Sequence, residues 1–208
     1  MCADFRTLEL EVKQLDQAGA DIFHIDIMDG MFVPNFGMGL QDFSFIRSAT
    51  TKLVDVHLMI SDPGRYVELF ADMGADIVYF HPEADLHPLR TIEKIKRKKK
   101  KAGIAINPGT SIAVIQELLP MVDCIMVMTV NPGFAGQTYI DSVDEKIKKL
   151  IALQGIYDYE IFVDGAISRE RIEGLSQLGV NGFVLGTSAL FGKAQSYEEI
   201  IREIKGVG

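Results

Sequence analysis

Short apolar runs of strand length alternate with helical patterns along almost all of the 208 residues, and this rhythm constrains the fold more than any other feature. The apolar runs are "DIFHIDIM" (21–28), "LVDVHLMI" (53–60), "DIVYFH" (76–81), "AGIAIN" (102–107), "DCIMVMTV" (123–130), "YEIFVD" (159–164) and "NGFVLG" (181–186). They are rich in β-branched residues and show little strict alternation, as expected of strands covered on both faces. Helical patterns occupy 8–17, 40–48, 63–73, 88–100, 112–121, 142–153, 169–178 and 197–205. "AGAD" (18–21), "MGAD" (73–76) and "LGVN" (178–181) each place a glycine where a helix ends and a strand begins, the position of a left-handed C-cap. No Ser/Gly-rich linker or shift of composition interrupts the series, so residues 1–208 are expected to form one domain.

Repeated βα units permit either an open doubly wound sheet or a closed (β/α)8 TIM barrel of the α/β class. In an open sheet, polar residues gather at one switch point. Here they recur at the C-terminal ends of at least four strands, as a barrel mouth requires. Seven strands against eight helices leave the first helix without a preceding strand, so the expectation is a barrel apparently lacking its first β-strand.

Residues two apart on a strand share a face, which puts His24, Asp26 and Met28 on one side of the first run and Ile25 and Ile27 on the other. The next run repeats the spacing with His57 and Met59, and Asp164 ends the sixth. Taken alone, a strand histidine is usually a satisfied core residue, and Asp164 would serve equally as a helix cap. Together, two histidines and two carboxylates at one barrel mouth suit a divalent cation; the nitrogen ligands favour zinc and leave iron, manganese and cobalt open. "NPGFAGQ" (131–137) lets the backbone approach a ligand at Gly133 and Gly136, and Gly186, Thr187 and Ser188 are expected to open a short helix after the last strand. Gly165–Ala166 and Gly186–Thr187 lie in the loops after the last two strands, where barrel enzymes grip phosphate.

"HIDIMDGMFVPN", "DVHLMI", "INPGT", "MTVNPGFAGQ", "VDGAI" and "GTSALF" together resemble the ribulose-phosphate 3-epimerase family, in the family's order and from Met1 to about Gly192. The resemblance implies a metal-dependent barrel that inverts C3 of a ketose phosphate. It implies that His24, Asp26, His57 and Asp164 bind the metal, that Asp26 and Asp164 exchange the proton, and that Met28, Met59 and Met128 line the reaction centre. It further implies that Gly133, Phe134, Ala135, Gly136, Gly165, Ala166, Gly186, Thr187 and Ser188, with His57 and Asp164, hold the sugar phosphate. The chemistry agrees: removing the proton beside a ketone yields an enediolate that a Lewis acid stabilises, and inversion needs one carboxylate on each face. D-Ribulose 5-phosphate is the expected substrate, with D-allulose 6-phosphate the alternative, since one hydroxymethyl group changes binding modestly.

Two departures stand out. Family members open on a strand resembling "SPSLLSAD", whereas this chain opens at "MCAD"; the expectation is that the true start lies earlier or that a lesion removed roughly eight residues, one strand's worth. An inactive remnant is the corresponding alternative. Met31 stands where the family commonly has His, which points to altered loop packing rather than lost chemistry. A decarboxylase or aldolase on a similar barrel would need an active-site lysine, and no lysine stands at a strand end.

Charge and composition narrow the partners. A net charge of −8 repels nucleic acid and anionic membranes, so a small phosphate must be held locally by backbone N–H groups. The run "KIKRKKKK" (94–101) falls at a helix C-terminus on the barrel floor, where lysine favours the helix dipole. Two cysteines, Cys2 and Cys124, exclude a disulfide framework, and no stretch approaches the ~18 apolar residues of a membrane span. A cytoplasmic protein that assembles into a homo-oligomer is expected.

Overall fold

The computed structural model describes residues 2–206. Seven strands, β1 (Ile22–Met28), β2 (Leu53–Met59), β3 (Ile77–Phe80), β4 (Lys101–Ile106), β5 (Cys124–Met128), β6 (Glu160–Asp164) and β7 (Gly182–Val184), form one sheet in chain order. Every neighbouring pair is parallel. Between and around them lie α1 (Leu8–Ala18), α2 (Leu40–Ala49), α3 (Val67–Asp72), α4 (Pro88–Arg97), α5 (Ile112–Ile115), α6 (Asp144–Leu153), α7 (Arg169–Leu178) and α8 (Tyr197–Lys205). The result is a nearly closed (β/α) barrel of seven strands and eight helices.

Period-two alternation sorts the strand residues into two layers. Ile25 of β1 and Val54, Val56 and Leu58 of β2 face outward onto Phe43 and Ile46 of α2, in a continuous core between sheet and helices. Ile77, Tyr79, Ala105, Cys124, Met126 and Met128 face inward and fill the barrel. Each such apolar side chain contributes about 1.5–3 kcal/mol on burial, so the outer layer carries most of the stability and leaves the inner positions near the mouth free for polar groups. Gly19 and Gly179 close α1 and α7 in the left-handed conformation with φ of 90° and 109°, where the sequence placed C-caps.

Several boundaries differ from the sequence pattern. The 112–121 stretch is helical only over α5, because Pro120 sits within its second half and the chain tightens into a 3-10 helix over Gln116–Met121. The 63–73 stretch divides at Tyr66 into a 3-10 turn and α3. No helix opens at 186–188; instead the Gly186 carbonyl accepts bonds from the N–H groups of Leu190 and Phe191 at 2.9 and 3.2 Å in a run of turns. The lysine run is anchored along its length: Lys96, Lys98 and Lys101 reach Asp123, Asp72 and Glu160 at 3.1, 2.7 and 2.7 Å.

Among the described residues β1 and β7 do not pair, so the sheet has two edges. The helical ring nevertheless closes over that opening. Tyr197 of α8 donates its hydroxyl to Glu11 of α1 at 2.6 Å, and Lys205 donates to the Gly19 carbonyl and to Asp21 at 2.8 and 2.7 Å. A cavity of about 610 Å³ runs from the mouth, at Gly133 and Asp164, down to Lys101 and Glu160 on the floor. No described helix is long and apolar enough to cross a membrane.

Candidate functional site

The parallel register brings the polar residues of three strands together. Asp26 of β1 lies beside His57 of β2, and Met28 beside Met59. Met128 of β5 lies beside Asp164 of β6. His24 Nε2 is 3.3 Å from Asp26 Oδ1 and 3.9 Å from Asp164 Oδ2; His57 Nδ1 is 3.4 Å from Asp26 Oδ1 and 3.8 Å from Asp164 Oδ2. Among the described residues, these four side chains form a group whose ligand atoms all lie within 4.8 Å of one another.

Spacing and satisfaction both fit a cation. A tetrahedral ion with bonds of about 2.1 Å sets its ligand atoms about 3.4 Å apart, close to the distances found. His24 Nε2, His57 Nδ1 and Asp26 Oδ1 are buried without a hydrogen-bond partner. An orphaned buried polar atom costs roughly 1–3 kcal/mol, and three aimed at one point would be hard to sustain without a common partner.

Neighbouring groups orient the two rings. His24 Nδ1 stands 2.6 Å from Asp55 Oδ1, leaving its Nε2 for the cluster. Asp55 is almost fully buried on the inner face of β2, two residues before His57. His57 Nε2 stands 2.9 Å from Nε2 of the fully buried His81. Asp55 and His81 are not among the site residues expected from the sequence; the signal for Asp55 is a carboxylate at the same inner-face spacing as the histidine of "VDVHLM".

The electrostatics are uneven. Burial alone would raise Asp26, but His24 and then His57 overcome it and hold that carboxyl well below the usual range. Burial raises Asp164, and Asp26 nearby adds to it, pushing the carboxyl up to about 6 against the pull of His24 and His57. For His24, burial is outweighed by Asp55 and Asp26, which raise the imidazole well above its ordinary value.

The loops expected to hold a sugar phosphate surround the same cavity. Gly133, Phe134, Ala135, Gly136, Gly165, Ala166, Gly186, Thr187 and Ser188 line it with His24, Asp26, Asp164, Met28, Met59 and Met128, while His57 lies fully buried behind them. Gly165 adopts φ 120°, and a Cβ there would meet the Val130 side chain at 2.5 Å and its backbone N at 2.9 Å, so the loop requires glycine. Met28, Met59 and Val33 form a small apolar cluster over the cation cradle. Met31 is 79% exposed, clear of the cradle.

Comparison with known proteins follows the same lines. The profile of the "Ribulose-phosphate 3 epimerase family" matches residues 1–191. This chain belongs to that family. Similar members include the ribulose-phosphate 3-epimerase of Bacillus subtilis (strain 168), 42% identical over 209 residues that cover 99% of this chain and 95% of that protein. The ribulose-phosphate 3-epimerase of Synechocystis sp. is also 42% identical, over 99% of this chain and 90% of its own. The fold is shared more widely: phosphoribosyl anthranilate isomerase from Thermus thermophilus superposes with a TM-score of 0.71 over 96% of this chain and 95% of its own, at 12% identity.

Proposed function

We propose that this protein is an isomerase that inverts C3 of D-ribulose 5-phosphate to give D-xylulose 5-phosphate. Membership of the epimerase family supports the reaction class, and the relatives described above carry the pentulose name. The observation that carries the reading is the convergence of His24, Asp26, His57 and Asp164, three of them with orphaned atoms, at the mouth of a cavity ringed by glycine-rich loops.

His24 Nε2, His57 Nδ1 and one oxygen from each of Asp26 and Asp164 would hold a divalent cation. Two nitrogens and two oxygens favour zinc and accommodate iron, manganese or cobalt. When bound, the cation supplies Lewis-acid stabilisation for negative charge developing on the sugar's oxygens. The remaining work falls to the chain. Asp26 ends on β1 and Asp164 on β6, so each carboxyl addresses the sugar from its own strand; one withdraws the C3 proton and the other delivers a proton to the opposite face. Which carboxyl acts first as base depends on the face that carries the C3 proton, so the roles exchange in the reverse reaction. Met28, Met59 and Met128 keep water from the enediolate. The loops at 133–136, 165–166 and 186–188 hold the phosphate through backbone groups, which suits an acidic protein.

Separate assays with D-ribulose 5-phosphate and D-allulose 6-phosphate test the proposal. Pentulose turnover that disappears with a chelator and returns with a divalent cation is expected. Preference for the hexulose would reassign the substrate to the allulose branch, and no turnover of either by the cation-loaded protein would contradict the proposal. Asp26→Asn and Asp164→Asn are each expected to lower kcat by about 100- to 10,000-fold.

A further inference from the structure

The reading above gives no role to His81, yet it is fully buried, follows directly on β3 and shares a close contact with His57. Its Nε2 lies 2.9 Å from His57 Nε2, and its Nδ1 faces Glu83 Oε2 at 3.6 Å with no hydrogen bond of its own. The Phe32 ring covers it at a centroid distance of 4.7 Å.

Glu83 is fixed from the far side. Its Oε1 accepts from the Asn107 N–H at 2.9 Å and from the Thr110 hydroxyl, both in the segment after β4. Burial would raise this carboxyl, but His81 and those two donors hold it down to about 2, so Glu83 only accepts.

Proton placement along this row has two solutions. The facing Nε2 atoms share a single hydrogen. If His57 carries it, His57 Nδ1 presents a lone pair to Asp26 Oδ1 and Asp164 Oδ2, His81 Nε2 accepts, and the remaining His81 proton sits on Nδ1 facing Glu83. If His81 carries it, His57 must be protonated on Nδ1 to stay neutral, which blocks that atom as a ligand, and a bare His81 Nδ1 would confront the Glu83 carboxylate lone pairs. The second solution is repulsive at the Glu83 end and, with a cation in place, would set the His57 Nδ1 proton against it at the other.

We infer that His81, held by Glu83, is a positioning residue that fixes the tautomer and ring orientation of His57 so that Nδ1 is free to bind the cation. The inference rests on the proposed cation site. It links that site to the β4 end of the barrel, through Asn107 and Thr110, and predicts that residues without contact to cation or substrate control affinity for the ion. A histidine buried only as filler would affect folding without selecting between substitutes of similar size.

The test is zinc affinity, measured by chelator competition on the purified full-length protein, together with the thermal midpoint of the metal-free form. His81→Leu removes the acceptor and is expected to weaken zinc binding by about 10- to 100-fold, the usual scale for a lost outer partner. His81→Gln places an amide oxygen near the Nε2 position and is expected to restore most of that loss. Glu83→Gln, at a partly exposed position, presents an amide N–H₂ to His81 while its amide oxygen still accepts from Asn107 and Thr110, and is expected to weaken zinc in the same sense while leaving the metal-free midpoint close to the parent's. This second variant decides the matter if His81→Leu fails to fold. Parental affinity in Glu83→Gln, or equal losses in His81→Leu and His81→Gln, overturns the inference while leaving the cation site standing. A parent protein that binds no zinc, manganese or cobalt overturns the cation site and this inference with it.

Discussion

At the scale of residues, the cluster was legible because two simple rules suffice. Period two puts His24 with Asp26, and parallel neighbours put His57 beside Asp26. The outer partners were not legible, because Asp55 meets His24 only through the cross-strand register and His81 reaches His57 from the next strand along. A pH dependence follows from Asp164, raised to about 6 from 3.8 mainly by burial. In the metal-free protein this group costs stability as pH rises from 3.8 towards 6, since the unfolded chain ionises there and the folded one does not. A bound cation requires the ionised form, so zinc affinity should decline steeply as pH falls below about 6. Titrations at pH 5 and pH 7 check this; equal affinity at both would contradict the assignment of Asp164 as a ligand. Cys124 offers a contrast: burial pushes its thiol up to about 12, so alkylating reagents at pH 8 should leave it unmodified until the protein is unfolded.

At the scale of elements, strands were read more accurately than helices. Apolar β-branched runs bounded by polar residues end within two residues of the ladder, whereas helical periodicity does not register the loss of a donor at Pro120 or the break at Tyr66. Inside the barrel, size alternates between neighbouring strands in a way that no single run displays. Tyr79 of β3 lies over Gly103 of β4, and Phe162 of β6 over Gly182 of β7; a Cβ at either glycine would come within 2.3 Å of the ring. Gly103→Ala is therefore expected to destabilise the fold by about 1–3 kcal/mol through overpacking, read as a lower midpoint in urea. An unchanged midpoint would show that the Tyr79 ring has room to move.

At the scale of the whole molecule, the alternating rhythm and the polar strand ends were enough to select a barrel over an open sheet, and they also yielded the count of seven strands. The pattern could not show how the gap is managed. Tyr197 of α8 bridges it to Glu11 of α1 and Lys205 of α8 to Asp21 just before β1, while β1 and β7 stay unpaired along their facing edges among the described residues. The stability of such a sheet is uneven: amides of β7 should exchange with deuterated water well before those of β4 and β5, which are flanked on both sides. Uniform protection across the seven strands would contradict that picture.

The account turns on one ion shared by four side chains, and anomalous diffraction from crystals of the zinc-loaded protein tests it most directly. The expected result is a single zinc with His24 Nε2, His57 Nδ1 and an oxygen from each of Asp26 and Asp164 about 2.0–2.2 Å away. Zinc bound elsewhere, or coordinated without one of the four, would contradict it.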